Sequence, residues 1–378
     1  MKSLILATIG LIVLSGCTSS ISSQSLQDEL QAKASNIAIM RDGTVWAVTN
    51  QGVARFDGQK WHYTNPEINA QIAATPDGTM LWLLTATQLS RYAENAWQTY
   101  ALPNDYLSKS LELHTSAVGT AWLLEKSESR WQNTLLRFNG KHWQTIVVNA
   151  PDKFKPILTA KEAVFSLLGI DSEDRPWFSI VVSGTYITYY WNNDNLIKAS
   201  TDFARAVFGL NGSLWASVHG SRFYAGRTSH SQYLTTGLCH YNTDKEPVCF
   251  MIAKTGDKVL CDRGELQITP DLTSTSLALA GTHIESFSVG PDNVAWALVI
   301  ADYDYLDDTT LCPIRSLKQQ LAFIRIGEGA WQRFDLVPCE YNGQCASLPF
   351  GSIKLFAPGP DNRSIWIVTD SSIGRLVW

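Results

Sequence analysis

Short apolar runs alternate with turn-forming residues along almost the whole chain. Val45–Thr49, Val53–Phe56 and Trp61–Thr64 are rich in Val, Phe and Trp, and turns such as Asn50-Gln51-Gly52 separate them. β-branched and aromatic runs bounded by Gly, Asn and Asp read as antiparallel strands joined by hairpins. A turn followed by Trp recurs. It appears as Asp42-Gly43-Thr44-Val45-Trp46 and again as Asp77-Gly78 before Trp82. Altered copies precede Trp122, Trp177, Trp215, Trp296 and Trp366. A second element follows: Arg55-Phe56 leading to Trp61, Arg91-Tyr92 to Trp97, Arg137-Phe138 to Trp143 and Arg325-Ile326 to Trp331. The interval from Trp46 to Arg55 returns unchanged in Trp82 to Arg91 and Trp366 to Arg375.

Self-similarity with a period of ~40 residues predicts a repeat architecture. Each copy supplies four antiparallel strands. One such sheet cannot bury both faces alone, and radial stacking covers them, so the pattern predicts an all-β protein, a β-propeller over residues 35–378. Eight blades are expected, with seven as the alternative. The count of eight includes a unit without Trp, formed by Val248–Ala253, the turn Thr255-Gly256-Asp257 and then Val259-Leu260. The last unit reaches Trp378 one strand short, and residues around Leu26–Ala32 are expected to supply its outer strand. The repeated Trp and Arg read as architecture, because a residue shared by every copy serves the unit that repeats.

Arg41-Asp42-Gly43-Thr44-Val45-Trp46 and Gly52-Val53-Ala54-Arg55-Phe56-Asp57 resemble the two-component-regulator propeller repeat. The resemblance covers nearly the whole chain after its N-terminal segment and is closest in the first two units. It implies a ligand-sensing ectodomain. No kinase follows in this sequence, so sensing requires a separate signalling partner. Ser364-Ile365-Trp366 through Ile373-Gly374-Arg375 is also similar to the repeat of the streptogramin-lyase propellers.

The N-terminus departs from the repeat. Lys2 is followed by the 11-residue apolar core Leu4–Leu14, short of the ~20 residues that cross a bilayer. Leu14-Ser15-Gly16-Cys17 resembles the bacterial lipobox. The resemblance implies a signal peptide at 1–16, lipidation with palmitate at Cys17 and a flexible tether over 17–34. Thr18 in place of Asp implies sorting to the outer membrane, facing the periplasm. The formal charge is −5 with no basic cluster, which argues against a nucleic-acid partner.

Of the 7 cysteines, six remain after Cys17. An even number in an exported chain favours disulfides. Cys249 and Cys261 flank the turn near Thr255-Gly256, Cys339 and Cys345 bracket a short loop, and Cys239 and Cys312 are left. Six cysteines allow about 15 pairings, so other connectivities stay open. No Cys-x-x-Cys pair of the kind a zinc site uses is present.

Departures from the repeat mark candidate sites. The insertion Asp302–Gln320 carries Asp302, Asp304, Asp307 and Asp308. These carboxylates are a calcium candidate, weighed against a solvated acidic loop because the EF-hand register is broken at Leu306. The region Ser221–Pro247, placed between the fifth and sixth units, holds Arg222, Tyr224, Arg227, His230 and His240. The polar residues expected near the mouth of the central channel are Glu112, His114, Arg205, His283, Glu285 and Lys354. Alternation along a strand puts Glu112 with His114, and His283 with Glu285, on shared faces. Such pairs suit proton transfer or metal binding, weighed against satisfied polar residues at a rim. No nucleophile elbow, phosphate loop or His-Glu-x-x-His motif is present.

The expected function is a non-enzymatic scaffold, anchored by the lipid on Cys17 with no other cofactor, that binds an envelope protein or a small ligand. The alternatives are a lyase or hydrolase at the channel mouth, with or without a metal, and a sensory module for a separate partner.

Overall fold

The protein is described by a computed structural model of the 378-residue chain. It describes residues 19–20, 26–126, 130–159, 163–182, 185–199, 203, 205–209, 213–219, 223–224, 231–232, 236–242, 245–251, 258–262, 265–269, 282–290, 292–301, 320–327, 330–335, 352–361 and 363–377.

The apolar runs are strands, and consecutive strands pair antiparallel. The first sheet is Ala34–Ile39, Val45–Thr49, Gly52–Phe56 and Trp61–Asn65. The second is Gln71–Ala74, Leu81–Leu84, Gln88–Ala93 and Ala96–Ala101. The third is Leu111–Thr115, Ala121–Glu125, Gln132–Phe138 and Trp143–Asn149. The fourth is Ala163–Ile170, Pro176–Val182, Thr185–Asn192 and Asn195–Lys198. The fifth is Arg205–Phe208, Leu214–His219, Thr236–Asn242 and Lys245–Met251. A five-stranded sheet follows: Thr282–Val289, Ala295–Ala301, Gln320–Gly327 and Ala330–Asp335, with Ser19–Ser20 added in parallel against Phe334 and Asp335. The closing sheet is Leu355–Pro358, Ser364–Val368 and Ile373–Val377, completed by Gln27–Leu30. The innermost strands neighbour one another in chain order, and Leu355–Pro358 returns to Ala34–Ile39. This is a closed β-propeller of four-stranded antiparallel blades.

The blade count is a correction. In place of the expected eight, or seven, the described residues form six four-stranded blades, and the five-stranded sheet stands in the same ring between the fifth sheet and the closing one. Among the described residues the unit without Trp does not form a blade. Its first run, with Val248 and Cys249, is the outermost strand of the fifth sheet. Its second run, Lys258–Asp262, pairs among the described residues with Glu265–Thr269 in a two-stranded hairpin. The region Ser221–Pro247 is corrected likewise. It follows the second strand of the fifth sheet, contains the third, Thr236–Asn242, and runs into the fourth, Lys245–Met251, and Phe223–Tyr224 pairs with Ser231–Gln232.

Ring closure joins the two ends of the chain. Gln27 pairs with Arg375 and Leu30 with Ile373. Asp28 meets the Arg375 guanidinium at 2.7 Å, and its carbonyl accepts the Trp61 indole N–H at 2.8 Å. Residues near the N-terminus thus bind the closing sheet and the first sheet together. Within the stretch 17–34 read as a tether, Ser19–Ser20 and Gln27–Leu30 are strands.

The core lies between the sheets and is built on the recurring Trp. Trp46 packs against Ile72, Leu81 and Tyr92 of the second sheet. Trp82 packs against Leu111, Leu123 and Phe138 of the third. Trp122 packs against Phe165, Phe178 and Ile180 of the fourth. Trp366 packs against Ile39, Val45 and Phe56 of the first. Each indole fills the gap to the next sheet, where a large flat side chain removes the most apolar area from water. No helix among the described residues is long and apolar enough to cross a membrane.

Candidate functional site

The innermost strands enclose a central cavity of ≈ 380 Å³. Ile39, Ile72, Leu113, Ile170, Val207 and Val289 line it, so most of its lining side chains are apolar. The polar lining is sparse: Thr75, Thr115, Ser288 and His114. His114 and Glu112 lie two apart on Leu111–Thr115, and alternation puts them on one face. The His114 Nε2 is 3.3 Å from Glu112 Oε1, and Lys126 Nζ is 3.5 Å from Glu112 Oε2. The neighbouring His114 ring, helped by Lys126, outweighs partial burial and holds the Glu112 carboxyl down at about 2. Next to this cluster, Lys109 donates to Glu125 at 2.7 Å. The arrangement holds a carboxylate charged beside an imidazole at the cavity edge, which is the geometry of a proton relay or of a recognition point for a polar group.

The other residues expected at the channel are scattered. Arg205 opens the inner strand Arg205–Phe208 and is exposed. Lys354 precedes Leu355–Pro358 and pairs with Asp370 at 3.2 Å in an exposed position. His283 and Glu285 lie on Thr282–Val289, whose register shifts between Ile284 and Ser286. The ladder skips Glu285, so the alternation that would put it on one face with His283 is interrupted by a bulge. Of the two pairs read from the sequence, the structure brings together Glu112 and His114. Asp302, Asp304, Asp307 and Asp308 lie outside the described residues, as do Cys17, Cys312, Cys339 and Cys345. Among the described residues no group of three or more His, Cys, Asp and Glu is arranged to hold a metal ion.

A second set of contacts links neighbouring strands within each sheet. Trp and Arg of the repeat stand opposite each other on adjacent strands: Trp46 and Arg55, Trp82 and Arg91, Trp122 and Arg137, Trp296 and Arg325, Trp366 and Arg375. The guanidinium lies 5.7 Å from the ring centroid at Trp46, 5.9 Å at Trp122, 6.0 Å at Trp296 and 5.8 Å at Trp366. These are cation–π pairs. Two units lack the Arg and stack a flat ring instead. Tyr190 lies 5.1 Å from Trp177, and His240 lies 4.5 Å from Trp215. Burial lowers the His240 pKa, which favours the neutral ring in that stack.

Sequence reasoning missed Asp174. It accepts the Trp122 indole N–H at 2.7 Å and the Arg137 Nε–H at 2.6 Å, and so binds the third sheet to the turn between the first and second strands of the fourth. Asp174 has φ 64° and stands three residues before Trp177, where Gly43 with φ 86° stands before Trp46. Its signal is a Gly position filled by an acid, since Asp tolerates the left-handed conformation. A polar groove of ≈ 670 Å³ opens over this junction, with Arg137, Val147, Asp174, Arg175 and Trp191 along its walls.

No sequence family matches this chain, and no curated protein matches it. Solved structures that are similar include YCF48 from Cyanidioschyzon merolae, at 12% identity over 92% of this chain and 96% of that one, with a TM-score of 0.43. YCF48 bound to D1 peptide is similar at 13% identity over 94% and 98%, with a TM-score of 0.44. The WD40 domain of SCAP from fission yeast is similar at 9% identity over 93% and 96%, with a TM-score of 0.41.

Proposed function

We propose that this protein is a non-enzymatic interaction scaffold of the bacterial envelope, with repeats of the two-component-regulator type. Cys17 carries a lipid, the ring faces the periplasm from the outer membrane, and the ligand is an envelope protein. The lipobox-like Leu14-Ser15-Gly16-Cys17 and the following Thr18 support the anchor.

A topological observation carries the scaffold reading. The extra chain at 220–235 joins the second and third strands of the fifth sheet, and that at 302–319 joins the second and third strands of the five-stranded sheet. Equivalent connections in antiparallel sheets leave from the same end, and these two sheets are neighbours in the ring. Both insertions are therefore anchored on one face of the disc over adjoining sheets, where one partner meets both. Removing residues 221–234 or 303–318 tests this. Partner capture should fall at least about tenfold, which is ~1.4 kcal/mol of binding, while the unfolding temperature stays unchanged. Undiminished capture by both deletion variants overturns the assignment of this face.

A second reading, a channel-mouth enzyme, draws on the 3.3 Å approach of His114 to Glu112 beside the cavity. It requires turnover that disappears in His114→Ala. A sensory module for a separate signalling partner would use the same cavity for its ligand.

A further inference from the structure

We infer that Cys239 and Cys249 form a disulfide joining the third and fourth strands of the fifth sheet. The two cysteines are direct partners in the antiparallel ladder, flanked by Leu238 opposite Phe250 and His240 opposite Val248. Directly opposed residues of an antiparallel pair have Cα atoms ~4.5–5.5 Å apart. That lies inside the ~4.4–6.8 Å a disulfide spans. Opposed side chains also leave the sheet on the same face, so the bond needs no change of register. Cys239 is fully buried, in a position where a disulfide costs no solvation.

The spacing in sequence favours Cys249 with Cys261, and the ladder removes the geometric basis for that pairing. Cys261 stands opposite Leu266 in the separate hairpin of Lys258–Asp262 and Glu265–Thr269. Among the described residues Lys245–Met251 is the outermost strand of its sheet and pairs with Thr236–Asn242. A covalent bond at this position keeps the edge strand on the sheet that anchors the insertion at 220–235. Cys312, Cys339, Cys345 and Cys261 are then left to pair among themselves.

The reaction is thiol–disulfide exchange. A protein disulfide of the exporting compartment is attacked by one cysteine thiolate, and the mixed disulfide is then displaced by the second. One S–S bond forms between Cys239 and Cys249, and the oxidant leaves as a dithiol carrying the two electrons and two protons. The inference rests on the proposed export for its oxidant only, and the geometry stands apart from it.

The test uses purified full-length chain, first as isolated from envelopes and then after reduction, unfolding and refolding with a glutathione redox pair. Alkylating free thiols in denaturant, then digesting without reduction, gives peptides whose masses read the linkage. The expected result in both samples is a peptide pair joined through Cys239 and Cys249. A reductant should also lower the urea midpoint of the wild type more than that of the Cys239→Ala/Cys249→Ala double variant. A Cys249–Cys261 linkage, or alkylated Cys239 in the refolded sample, overturns the inference. Linkage after refolding but alkylated cysteines in the envelope sample upholds the geometry and counts against export instead.

Discussion

Trp122 donates its indole N–H to Asp174 at 2.7 Å, across the boundary between the third sheet and the fourth. The same carboxylate takes the Arg137 Nε–H at 2.6 Å and the Thr120 hydroxyl at 3.3 Å. One acid therefore closes the polar edge of a buried Trp and the Arg stacked on it. Removing it leaves a charged donor and an indole N–H without an acceptor. Asp174→Ala should destabilise the fold by about 2–4 kcal/mol in urea unfolding. Glu173→Ala, one residue earlier and exposed, should change stability by less than about 0.5 kcal/mol. Equal losses from the two would mean that the carboxylate at 174 is not the link.

Trp82 is fully buried, and its ring lies edge-on to Phe138 at 6.0 Å. It fills the space between the second and third sheets. Trp82→Ala leaves a cavity that two sheets cannot both collapse into, and should cost about 3–5 kcal/mol. Thermal unfolding of the variant reads this directly.

Gly52 and Gly58 separate two effects that usually come together. Both have left-handed φ, 120° and 96°. A Cβ on Gly52 would stand 2.3 Å from the Asn65 carbonyl oxygen, whereas one on Gly58 meets nothing within 4 Å. Gly58→Ala carries conformational strain alone, about 1 kcal/mol. Gly52→Ala adds a clash with backbone and should cost at least about twice as much. The two urea midpoints check the order.

Glu112 gives the fold a dependence on pH. Its folded pKa of about 2 lies below the ordinary 4.5. A carboxyl depressed in this way adds stability above its unfolded value and loses it as pH falls through the folded one. The advantage of wild type over Glu112→Gln should therefore be full at pH 6, shrink between about pH 4.5 and 2, and vanish below. Unfolding temperatures of both proteins across that range measure it. An advantage that grows with acid would contradict the His114–Glu112 pairing.

Strands and their order were legible because each hairpin carries its own punctuation, and the recurring Trp showed which sheets must interlock. Glu112 and His114 were legible through simple alternation. At Glu285 a bulge interrupts the count and has no sequence mark of its own. The blade count was misjudged because an outermost strand with Val248 and a lone hairpin with Leu260 have the composition of a blade without its pairing. Asp174 was hidden for a different reason. Its role depends on the sheet before it, and a repeat read one unit at a time does not show contacts between units.

The scaffold reading is tested most directly by affinity capture of the full-length protein from gently solubilised, cross-linked envelopes, with quantitative mass spectrometry. One envelope protein should be recovered at near-equal abundance with the bait, and lost from the 303–318 deletion variant. Recovery of the bait alone, under cross-linking that captures known envelope complexes in the same sample, would contradict the scaffold and move the function to the cavity beside His114.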